Sequence, residues 1–441
     1  HLIMQYNLSP ETLVSGEFIK DLKVDTVLKG VDFNLPDNTT ITPNGALYRK
    51  DIKGFLPEMM QEIYDDRTIY KKKMLDAKQQ YEDTKDAKYL KYISRYNNIQ
   101  MARKISLNSS YGAIGNQYFR YYDLAIAEGI TTAGQLSIRW IEKKMNEYLN
   151  KLLETKDEDF DIASDTDSIY ITFDKLVDKV FEKGSDVQKI VNFLDKIAKE
   201  KIEPYIDKSY QSLASYVNAY DQKMFMKREV IADKGIWTAK KRYILNAHDV
   251  EGVRYKEPTL KIMGIEAVKS STPAPCRQKI KEALKIIMSG DEKMLNTFIQ
   301  DFRKEFMTLP PEDIAYPRSV NGLRKWSDSA NLFKKGTPIH VKGALVYNHL
   351  IRKNKLSKKY PYILEGDKIK FLHLRLPNKY QSTAITFITS LPVELDFHSL
   401  IDYDTQYDKS FIEPLKFITD KILWKIDKSF GTQATLEDFF S

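Results

Sequence analysis

Two aspartates separated by one residue stand at the tip of a predicted β-hairpin. Asp165 and Asp167 lie in the segment Ser164-Asp165-Thr166-Asp167-Ser168, with β-prone runs on both sides. Two carboxylates at such a tip can face one side and share Mg²⁺, which prefers oxygen ligands. Two-metal phosphoryl transfer uses this type of clamp, with one ion at the attacking oxygen and the other at the leaving oxygen. Alone, the five residues fit an ordinary solvated turn better, and it is the apolar runs around them that favour the metal site.

Basic side chains recur at helical spacing in the N-terminal part of the chain. Arg67 and Lys71 share one helix face, and Lys104, Asn108 and Tyr111 share a face of the next predicted helix. Arginine forms bidentate phosphate contacts and lysine supplies a point charge, so the three cations together suit a triphosphate. A solvated basic face is the alternative, and it fits the two lysines after Lys71 better than it fits Lys104. Lys104 precedes a run of small and polar residues that is unusual for a purely structural helix end.

Helices must position these basic groups, and a β-hairpin must position the acidic pair. Good helix formers and apolar residues at helical spacing predict helices, and β-prone runs predict strands. The predicted helices cover residues 58–82, 87–110, 122–153, 186–217, 280–288 and 295–306. The predicted strands flank the acidic turn within residues 158–174 and recur at 225–232, 241–246 and 260–265. Pro57 is predicted to occupy a first helical position, and residues 1–53 look irregular. This mixture predicts an α+β fold.

The composition is that of a globular chain with a basic surplus. Its 441 residues include 69 Lys and Arg against 61 Asp and Glu, a net charge of +8 that suits a polyanionic partner. The single Cys276 excludes an internal disulfide and a cysteine-rich metal site, and it predicts a reducing intracellular setting. No apolar run is long enough to span a bilayer, so no membrane partner is expected. No signal peptide is recognisable, and the first residue is His1, which predicts a trimmed, processed or fragmentary chain.

Several motifs together resemble those of the family B DNA polymerases. The segment Lys104-Ile105-Ser106-Leu107-Asn108-Ser109-Ser110-Tyr111-Gly112 is similar to the family's K-x-x-x-N-S-x-Y-G motif, and the acidic turn resembles its D-T-D-S metal motif. Arg67 and Lys71 match the Arg-x-x-x-Lys pair of the family's fingers, and Lys240-Lys241-Arg242-Tyr243 resembles its K-K-R-Y element. The motifs occur in family order over nearly the whole chain. Segments at 261–264, 269–273 and 336–341 are similar to the branch of replicative polymerases from large tailed bacteriophages.

The resemblance implies a role for each matching residue. Asp167 is expected to be a principal ligand of two Mg²⁺ ions, and Asp165 a weaker or accessory one. Arg67, Lys71 and Lys104 are expected to grip the incoming dNTP, with Lys104 donating a proton to the leaving pyrophosphate. The other expected contacts are with the nascent base pair (Asn108 and Tyr111) and with the primer end of primer-template DNA (Lys240, Lys241, Arg242 and Tyr243). Glu229 is either a further acid near the metals or the partner of a surface or structural ion pair.

The resemblance also implies a right-hand architecture: an antiparallel-sheet palm, two-helix fingers and a helix-rich thumb. The expected divisions are palm at 1–53 and 117–272, fingers at 54–116, thumb at 273–432 and a tail at 433–441. In the tail, Gln433, Leu436, Phe439 and Phe440 resemble the clamp-binding peptide of replication proteins, with two aromatic anchors for an apolar pocket of a sliding clamp. A terminal helix packed on the thumb is the alternative for this tail.

One family motif has no counterpart in the sequence. The family's first metal motif places an Asp before Ser-Leu-Tyr-Pro, and the sequence from His1 resembles the segment that follows it. We therefore expect the second essential Asp and the exonuclease to be supplied by another part of a split or truncated enzyme, such as a separate N-terminal subunit.

Two functions stay open on the sequence alone. The first is a template-directed DNA polymerase that adds dNTPs to a primer 3′ end during replication, in the cytoplasm of a phage-infected host cell. The second is a non-catalytic module that binds primer-template DNA and the clamp. A two-metal nuclease is disfavoured because it leaves the three cations on the helices without a role.

Overall fold

The computed structural model describes residues 1–427, apart from the side chains of residues 16–18. The chain divides into two compact units. The first unit contains residues 1–233 and 247–259, and the second contains residues 234–246 and the described residues from 260 onward. Each unit has a hydrophobic core of its own. Among the described residues, none of the helices combines the length and the apolarity that crossing a bilayer requires.

The first 53 residues are more regular than the sequence indicated. They contain two short helices and three strands, and the prediction of irregular structure is therefore wrong here. The elements are α1 (Leu2–Gln5), α2 (Val24–Leu28), β1 (Leu13–Phe18), β2 (Thr39–Ile41) and β3 (Ala46–Arg49), with the strands in the order β1-β3-β2. The pattern was missed because every side chain of β2 is buried, two of them threonines, so no alternation of polar and apolar residues marks the strand.

Two long helices form the predicted hairpin. They are α3 (Phe55–Thr84) and α4 (Lys88–Ile114), and Lys85 ends the first with a left-handed φ of 55°. An ion pair of 2.6 Å between Arg103 Nε and Asp66 Oδ2 joins them. The helix begins at Phe55, so Pro57 is its third residue and not its first. Proline is tolerated there because the first four N–H groups of a helix have no intrahelical partner.

The predicted third helix and the acidic hairpin are confirmed. Helix α5 (Leu124–Leu153) begins where the Asp123 side chain accepts a hydrogen bond of 3.1 Å from the Ile126 N–H, and it buries an apolar stripe in the first core. The hairpin consists of β4 (Asp161–Asp165) and β5 (Ser168–Ile171), paired antiparallel. Behind it follow α6 (Asp174–Val180), α7 (Val187–Ile197) and α8 (Glu203–Tyr216), the last two joined through a wide helical turn at Ala198–Ile202.

Three long strands come next, and residues of both units contribute to them. They are β6 (Val230–Ala239), β7 (Arg242–Val250) and β8 (Val253–Met263), in the order β6-β7-β8. The sequence predicted all three. The first begins at Val230, five residues later than expected, and the other two are longer than expected.

The second unit packs helices against a small antiparallel sheet. Two amphipathic helices, α9 (Ala274–Ser289) and α10 (Glu292–Phe306), occupy the predicted positions. The sheet has the order β13-β12-β9, and α13 packs on it. The remaining elements are α11 (Pro311–Ile314), β9 (Tyr316–Ser319), α12 (Leu323–Trp326), β10 (Ser327–Asp328), β11 (Leu332–Phe333), α13 (Ile339–Lys353), β12 (Lys368–His373), β13 (Ala384–Phe387), α14 (Tyr403–Tyr407) and α15 (Glu413–Thr419). The mixture of helices and separate sheets agrees with the expected α+β class.

Candidate functional site

The acidic turn between β4 and β5 is tight and strained. Asp165 pairs with Ser168 across the hairpin, so only Thr166 and Asp167 form the turn. Thr166 has a left-handed φ of 61°, and the Asp167 N–H donates a hydrogen bond of 2.6 Å to the Asp165 carbonyl oxygen. A β-branched residue in this region costs on the order of 1–3 kcal/mol, and such strain is concentrated at functional sites. The local geometry is therefore unfavourable for a turn whose only role is to connect two strands.

The two carboxylates of the turn have different surroundings. The Asp165 side chain is half-buried, and its Oδ1 accepts a hydrogen bond of 3.0 Å from the Thr166 hydroxyl. Asp167 is exposed. Burial, and next the negative charge of Asp167, raise the pKa of Tyr210 in α8 well above its ordinary value, which places that charge beside a buried phenol. The turn therefore offers one partly shielded and one open carboxylate.

These carboxylates suit a hard divalent cation in part. Carboxylate oxygens are the ligands that Mg²⁺ takes, and Mg²⁺ usually completes its shell with water and substrate phosphates. Within residues 1–427, no cluster of three or more His, Cys, Asp or Glu side chains is arranged to hold a metal. Asp165 and Asp167 thus fit a site whose remaining ligands come from water, substrate or another polypeptide segment.

A further acid lies at the other end of β4, where sequence reasoning singled out nothing. Burial, followed by the charges of Glu142 and Asp159, raises the pKa of Asp161 to about 6. These three acids line a cavity of about 410 Å³ together with basic residues of α5. Asp165 lies four positions after Asp161 along the strand, roughly 13 Å away at the usual rise per residue. Asp161 therefore does not join the acidic pair.

The helical hairpin places Arg67 of α3 and Lys104 of α4 at a similar height along its long axis. Their neighbours Asp66 and Arg103 form the ion pair that joins α3 to α4, which aligns the two helices at this height. Lys104 and Asn108 are exposed, and Tyr111 is 43% exposed. The Arg67 Nε is buried without a hydrogen-bond partner. The hairpin therefore has an open polar face on α4 and an arginine with spare hydrogen-bonding capacity on α3.

Lys71 is engaged by a residue that sequence reasoning missed. Its Nζ lies 2.5 Å from Oε1 of Glu251, which stands in the turn between β7 and β8. The two residues are 180 positions apart in the chain. The only local signal was the Glu251-Gly252 pair between two strand-like runs, which indicates a turn and gives no indication of its partner.

Lys240, Lys241, Arg242 and Tyr243 belong to the second unit and differ in exposure. The two lysines are exposed in the turn between β6 and β7. Arg242 forms an ion pair of 2.7 Å with Glu266 and lies 4.8 Å from the ring centre of Phe417. Tyr243 is only 5% exposed and packs near Trp237. The lysines are thus exposed to solvent, whereas the other two side chains are held inside this unit.

The turn that carries these lysines is closely packed. Lys241 has a φ of 61°, and a Cβ built on Gly264 would lie 2.1 Å from the Lys241 carbonyl oxygen. Gly264 also has a positive φ, 65°. Only glycine meets both conditions. Gly264 therefore allows the backbone at Met263-Gly264 to pack directly against the turn that carries the two lysines.

Two other predicted features have distinct outcomes. Glu229 is exposed in the first unit, and its carbonyl oxygen accepts a hydrogen bond of 2.6 Å from the Glu251 N–H. Its role as a further acid stays a prediction. The clamp-binding residues Gln433, Leu436, Phe439 and Phe440 lie outside the described residues.

Comparisons with known proteins agree on one family. Residues 1–214 match the model of DNA polymerase family B. The chain is 34% identical to the DNA-directed DNA polymerase of Enterobacteria phage T4, covering 94% of this chain and 51% of that protein. It is 36% identical to the DNA-directed DNA polymerase of Escherichia phage RB69, covering 100% of this chain and 54% of that protein. The chain thus spans about half the length of these relatives.

A solved structure is also similar at low identity. The family B DNA polymerase from the hyperthermophilic archaeon Pyrobaculum calidifontis matches 98% of this chain and 44% of its own, with 17% identity and a TM-score of 0.46.

Proposed function

Because the chain belongs to DNA polymerase family B, we propose that it carries part of a template-directed DNA polymerase. The reaction is the addition of dNTPs to a primer 3′ end during DNA replication. The observation that carries the proposal is the acidic turn, in which Thr166 is held at a φ of 61° between Asp165 and Asp167. Its carboxylates stand in the same unit as the basic helical hairpin, so one compact unit supplies both a metal-binding pair and phosphate-binding cations.

The proposed cofactor is Mg²⁺, with two ions per active site. When bound, the ions would supply a positive charge that activates the primer hydroxyl and stabilises the leaving oxygen. Asp167 would be the principal ligand, since it is the open carboxylate. Asp165 would be the accessory ligand, since it is half-buried and accepts a hydrogen bond from Thr166.

The helical hairpin would bind the incoming nucleotide. Arg67, Lys71 and Lys104 would neutralise its triphosphate, and Lys104 would donate a proton to the leaving pyrophosphate. Asn108 and Tyr111 would line the nascent base pair from the exposed face of α4. Exposure supports these roles for the α4 residues, and the spare Nε of Arg67 supports its role on α3.

Primer-template DNA is the proposed macromolecular partner. Lys240 and Lys241 are exposed and would contact the phosphates of the primer strand. Arg242 and Tyr243 are held inside the second unit and would fix the shape of the turn that carries the lysines. They would thus act on the primer end by positioning that turn. We also propose a sliding clamp as the partner of the tail from Gln433 to Phe440.

The proposed architecture is the polymerase right hand. The palm would comprise residues 1–53 and 117–272, the fingers 54–116 and the thumb 273–432. The hairpin of α3 and α4 supports the fingers assignment, since these two helices cover nearly all of the range. By kinship to phage polymerases, the proposed place of action is the cytoplasm of an infected host cell.

We propose that a further acid, outside residues 1–441, completes the metal site formed by Asp165 and Asp167. In the described part of the chain, no group of three or more His, Cys, Asp or Glu side chains is arranged to hold a metal, so the pair on the acidic turn would need further ligands. The same observation favours the second candidate function, in which these residues alone bind primer-template DNA without catalysis. Asp165 and Asp167 would then become competent only with the segment that supplies the further Asp and the exonuclease.

Primer extension distinguishes these functions. We expect the 441-residue chain alone to bind a labelled primer-template and to extend it weakly or not at all. Adding a polypeptide that ends in Asp-x-x-Ser-Leu-Tyr-Pro should restore extension with Mg²⁺. Robust extension by the chain alone would show that the ligand set is complete without that segment. DNA binding without extension in the reconstituted mixture would favour the binding module.

A further inference from the structure

Helix α3 is attached to the tip of the β7–β8 hairpin at two points, one in the turn and one at the start of β8. Lys71 Nζ lies 2.5 Å from Glu251 Oε1. Eight residues further along the helix, Gln79 Oε1 accepts a hydrogen bond of 2.9 Å from the Arg254 N–H. Eight residues span roughly 12 Å of helix, so the hairpin tip contacts α3 over about two helical turns. The contact is therefore an extended docking of one hairpin tip on the proposed fingers.

A buried ionic network fixes the shape of that tip. Asp249, whose side chain is 2% exposed, accepts hydrogen bonds of 2.9 Å from the Gly252 N–H and 3.0 Å from Arg254 Nε. Arg228 pairs with the same carboxylate and forms a second ion pair of 2.6 Å with Asp195 of α7. Such a shielded, multiply bonded network is costly to disturb. Glu251 is therefore presented to α3 by a rigid support.

Glu251 is an unusual residue for the position that it occupies. Its φ is 52° and that of Gly252 is 87°, the two positive values of a type I′ turn. Asparagine, aspartate and glycine are favoured at the first of these positions, whereas glutamate has no local reason to be there. The turn thus carries a backbone cost together with a carboxylate that is long enough to reach Lys71.

We propose that Glu251 competes with the triphosphate of the incoming nucleotide for Lys71, and thereby lowers nucleotide affinity and holds α3 on the β7–β8 turn until a nucleotide binds. This rests on the proposed function, in which Lys71 is one of three triphosphate-binding cations. An ammonium group paired at 2.5 Å must exchange its carboxylate for a phosphate oxygen. Glu251 acts on the substrate only through Lys71, so it is a positioning residue.

The size of the effect follows from the exposure of the pair. The Lys71 and Glu251 side chains are 33% and 28% exposed, so the pair is partly screened by solvent. Pairs of this kind change an equilibrium by roughly two- to fivefold. Removing Glu251 should therefore lower the Kd for a nucleotide by that factor.

The test uses the 441-residue chain bound to primer-template DNA. The matching dNTP is titrated calorimetrically in the presence of Ca²⁺ in place of Mg²⁺, so that binding is measured without extension. The variant is Glu251→Asn, which removes the charge and suits a type I′ turn better than glutamate does. Glu257→Gln on β8 is the matched control, because it removes an exposed carboxylate from the same hairpin. Glu251→Asp tests whether a shorter carboxylate retains part of the effect.

The expected result is a two- to fivefold lower Kd for Glu251→Asn and an unchanged Kd for the control. In a Lys71→Ala background the Glu251→Asn change should have no effect, which a merely structural role of Glu251 would not produce. Hydrogen exchange of the amides at 71–84 should also become faster without nucleotide.

Three outcomes would overturn the inference. A higher Kd for Glu251→Asn would show that Glu251 orients Lys71 for the phosphate and does not compete with it. An unchanged Kd, with weaker binding by Lys71→Ala, would remove the competition and leave the proposed polymerase function standing. Absence of nucleotide binding by the unmodified chain, both alone and together with the polypeptide that ends in Asp-x-x-Ser-Leu-Tyr-Pro, would contradict the proposed function as well.

Discussion

The first unit contains two hairpin tips that resemble each other in backbone and differ in support. In the β4–β5 turn, Thr166 adopts the left-handed conformation between two acids. In the β7–β8 turn, Glu251 and Gly252 adopt it, and the buried Asp249 carboxylate accepts hydrogen bonds from Gly252 and Arg254. The first tip thus presents carboxylates on a strained turn, and the second presents one on a braced turn.

The difference indicates two kinds of task. An acid that binds metal ions must stay open to water and substrate, and Asp167 is exposed. An acid that holds a fixed lysine needs a rigid support, and the network under Glu251 provides one. An exposed acid on a strained turn therefore marks the proposed chemistry, and an acid held over a buried ionic network marks the proposed mechanical contact.

The largest expected effect is on primer extension, and it distinguishes the β4–β5 tip from the β7–β8 tip. Asp167→Asn should lower primer extension by the reconstituted enzyme by about a thousandfold or more, because a neutral amide is a poor ligand for a metal ion that stabilises the transition state. Affinity for primer-template DNA should change by less than about threefold, since the contact with DNA is dominated by cations. Gel-shift and single-turnover extension assays measure the two quantities. Near-normal extension would remove Asp167 from the metal site.

The second effect is on the free energy of unfolding, in which the β7–β8 tip should contribute more than the β4–β5 tip. Asp249→Asn should lower the free energy of unfolding by about 3 kcal/mol, because it leaves the nearly buried Arg228 and the partly buried Arg254 with one partner fewer. The matched change Asp167→Asn should alter it by less than about 0.5 kcal/mol, since that carboxylate is exposed. Urea denaturation followed by circular dichroism measures both. Equal losses would mean that the acidic turn is braced as well.

The sequence predicted the elements that carry strong local signals. The helices α3, α4 and α5 have long runs of helix formers or an apolar stripe, and the β4–β5 hairpin has β-prone runs around a polar turn. It failed for β2, whose buried threonines hide the alternation. Local patterns decide such elements when one face is apolar, and they do not when polar side chains are buried with their hydrogen bonds satisfied.

The predicted site shows the same limit. Arg67, Lys71, Lys104, Asp165 and Asp167 could be chosen because their spacing and motifs are local. The sequence could not predict that Lys71 pairs with Glu251 or that Arg242 pairs with Glu266, since each pair depends on which strands and helices meet. Long-range ion pairs depend on the three-dimensional arrangement, and spacing along the chain does not encode them.

Two substitutions, one that introduces a glycine and one that removes a glycine, test the backbone strain of the two turns directly. Thr166→Gly should raise the free energy of unfolding by about 0.5–1 kcal/mol, because glycine adopts a positive φ without a steric penalty. Gly252→Ala in the other turn should lower it by about 1–2 kcal/mol, although a Cβ there meets nothing within 4 Å. Chemical denaturation measures both. A loss of stability for Thr166→Gly would show that the threonine side chain supports the turn more than its backbone strains it.

The last expected effect concerns the base of the acidic hairpin. Burial, and next Glu142 and Asp159, raise the pKa of Asp161 to about 6, above its value of about 3.9 in an unfolded chain. Below pH 4 the carboxyl is protonated in both states and nothing is lost. Between pH 4 and 6 the unfolded state releases its proton first, so stability falls as pH rises, and the penalty is complete above pH 6. Asp161→Asn should therefore stabilise the chain at pH 7.5 by about 1 kcal/mol, a figure reduced because the group is only half-buried.

Urea denaturation at pH 4.5 and pH 7.5 measures this difference. The gain from Asp161→Asn should shrink at the lower pH, and the exposed Asp178→Asn should show no such trend. A gain that grows as pH falls would reverse the sign and mean that the Asp161 carboxylate is stabilised by the basic residues of its cavity. Because the same strand carries Asp161 at its base and Asp165 at its tip, the expected sign would also show that this hairpin bears an unfavourable buried charge at its base as well as a strained turn at its tip.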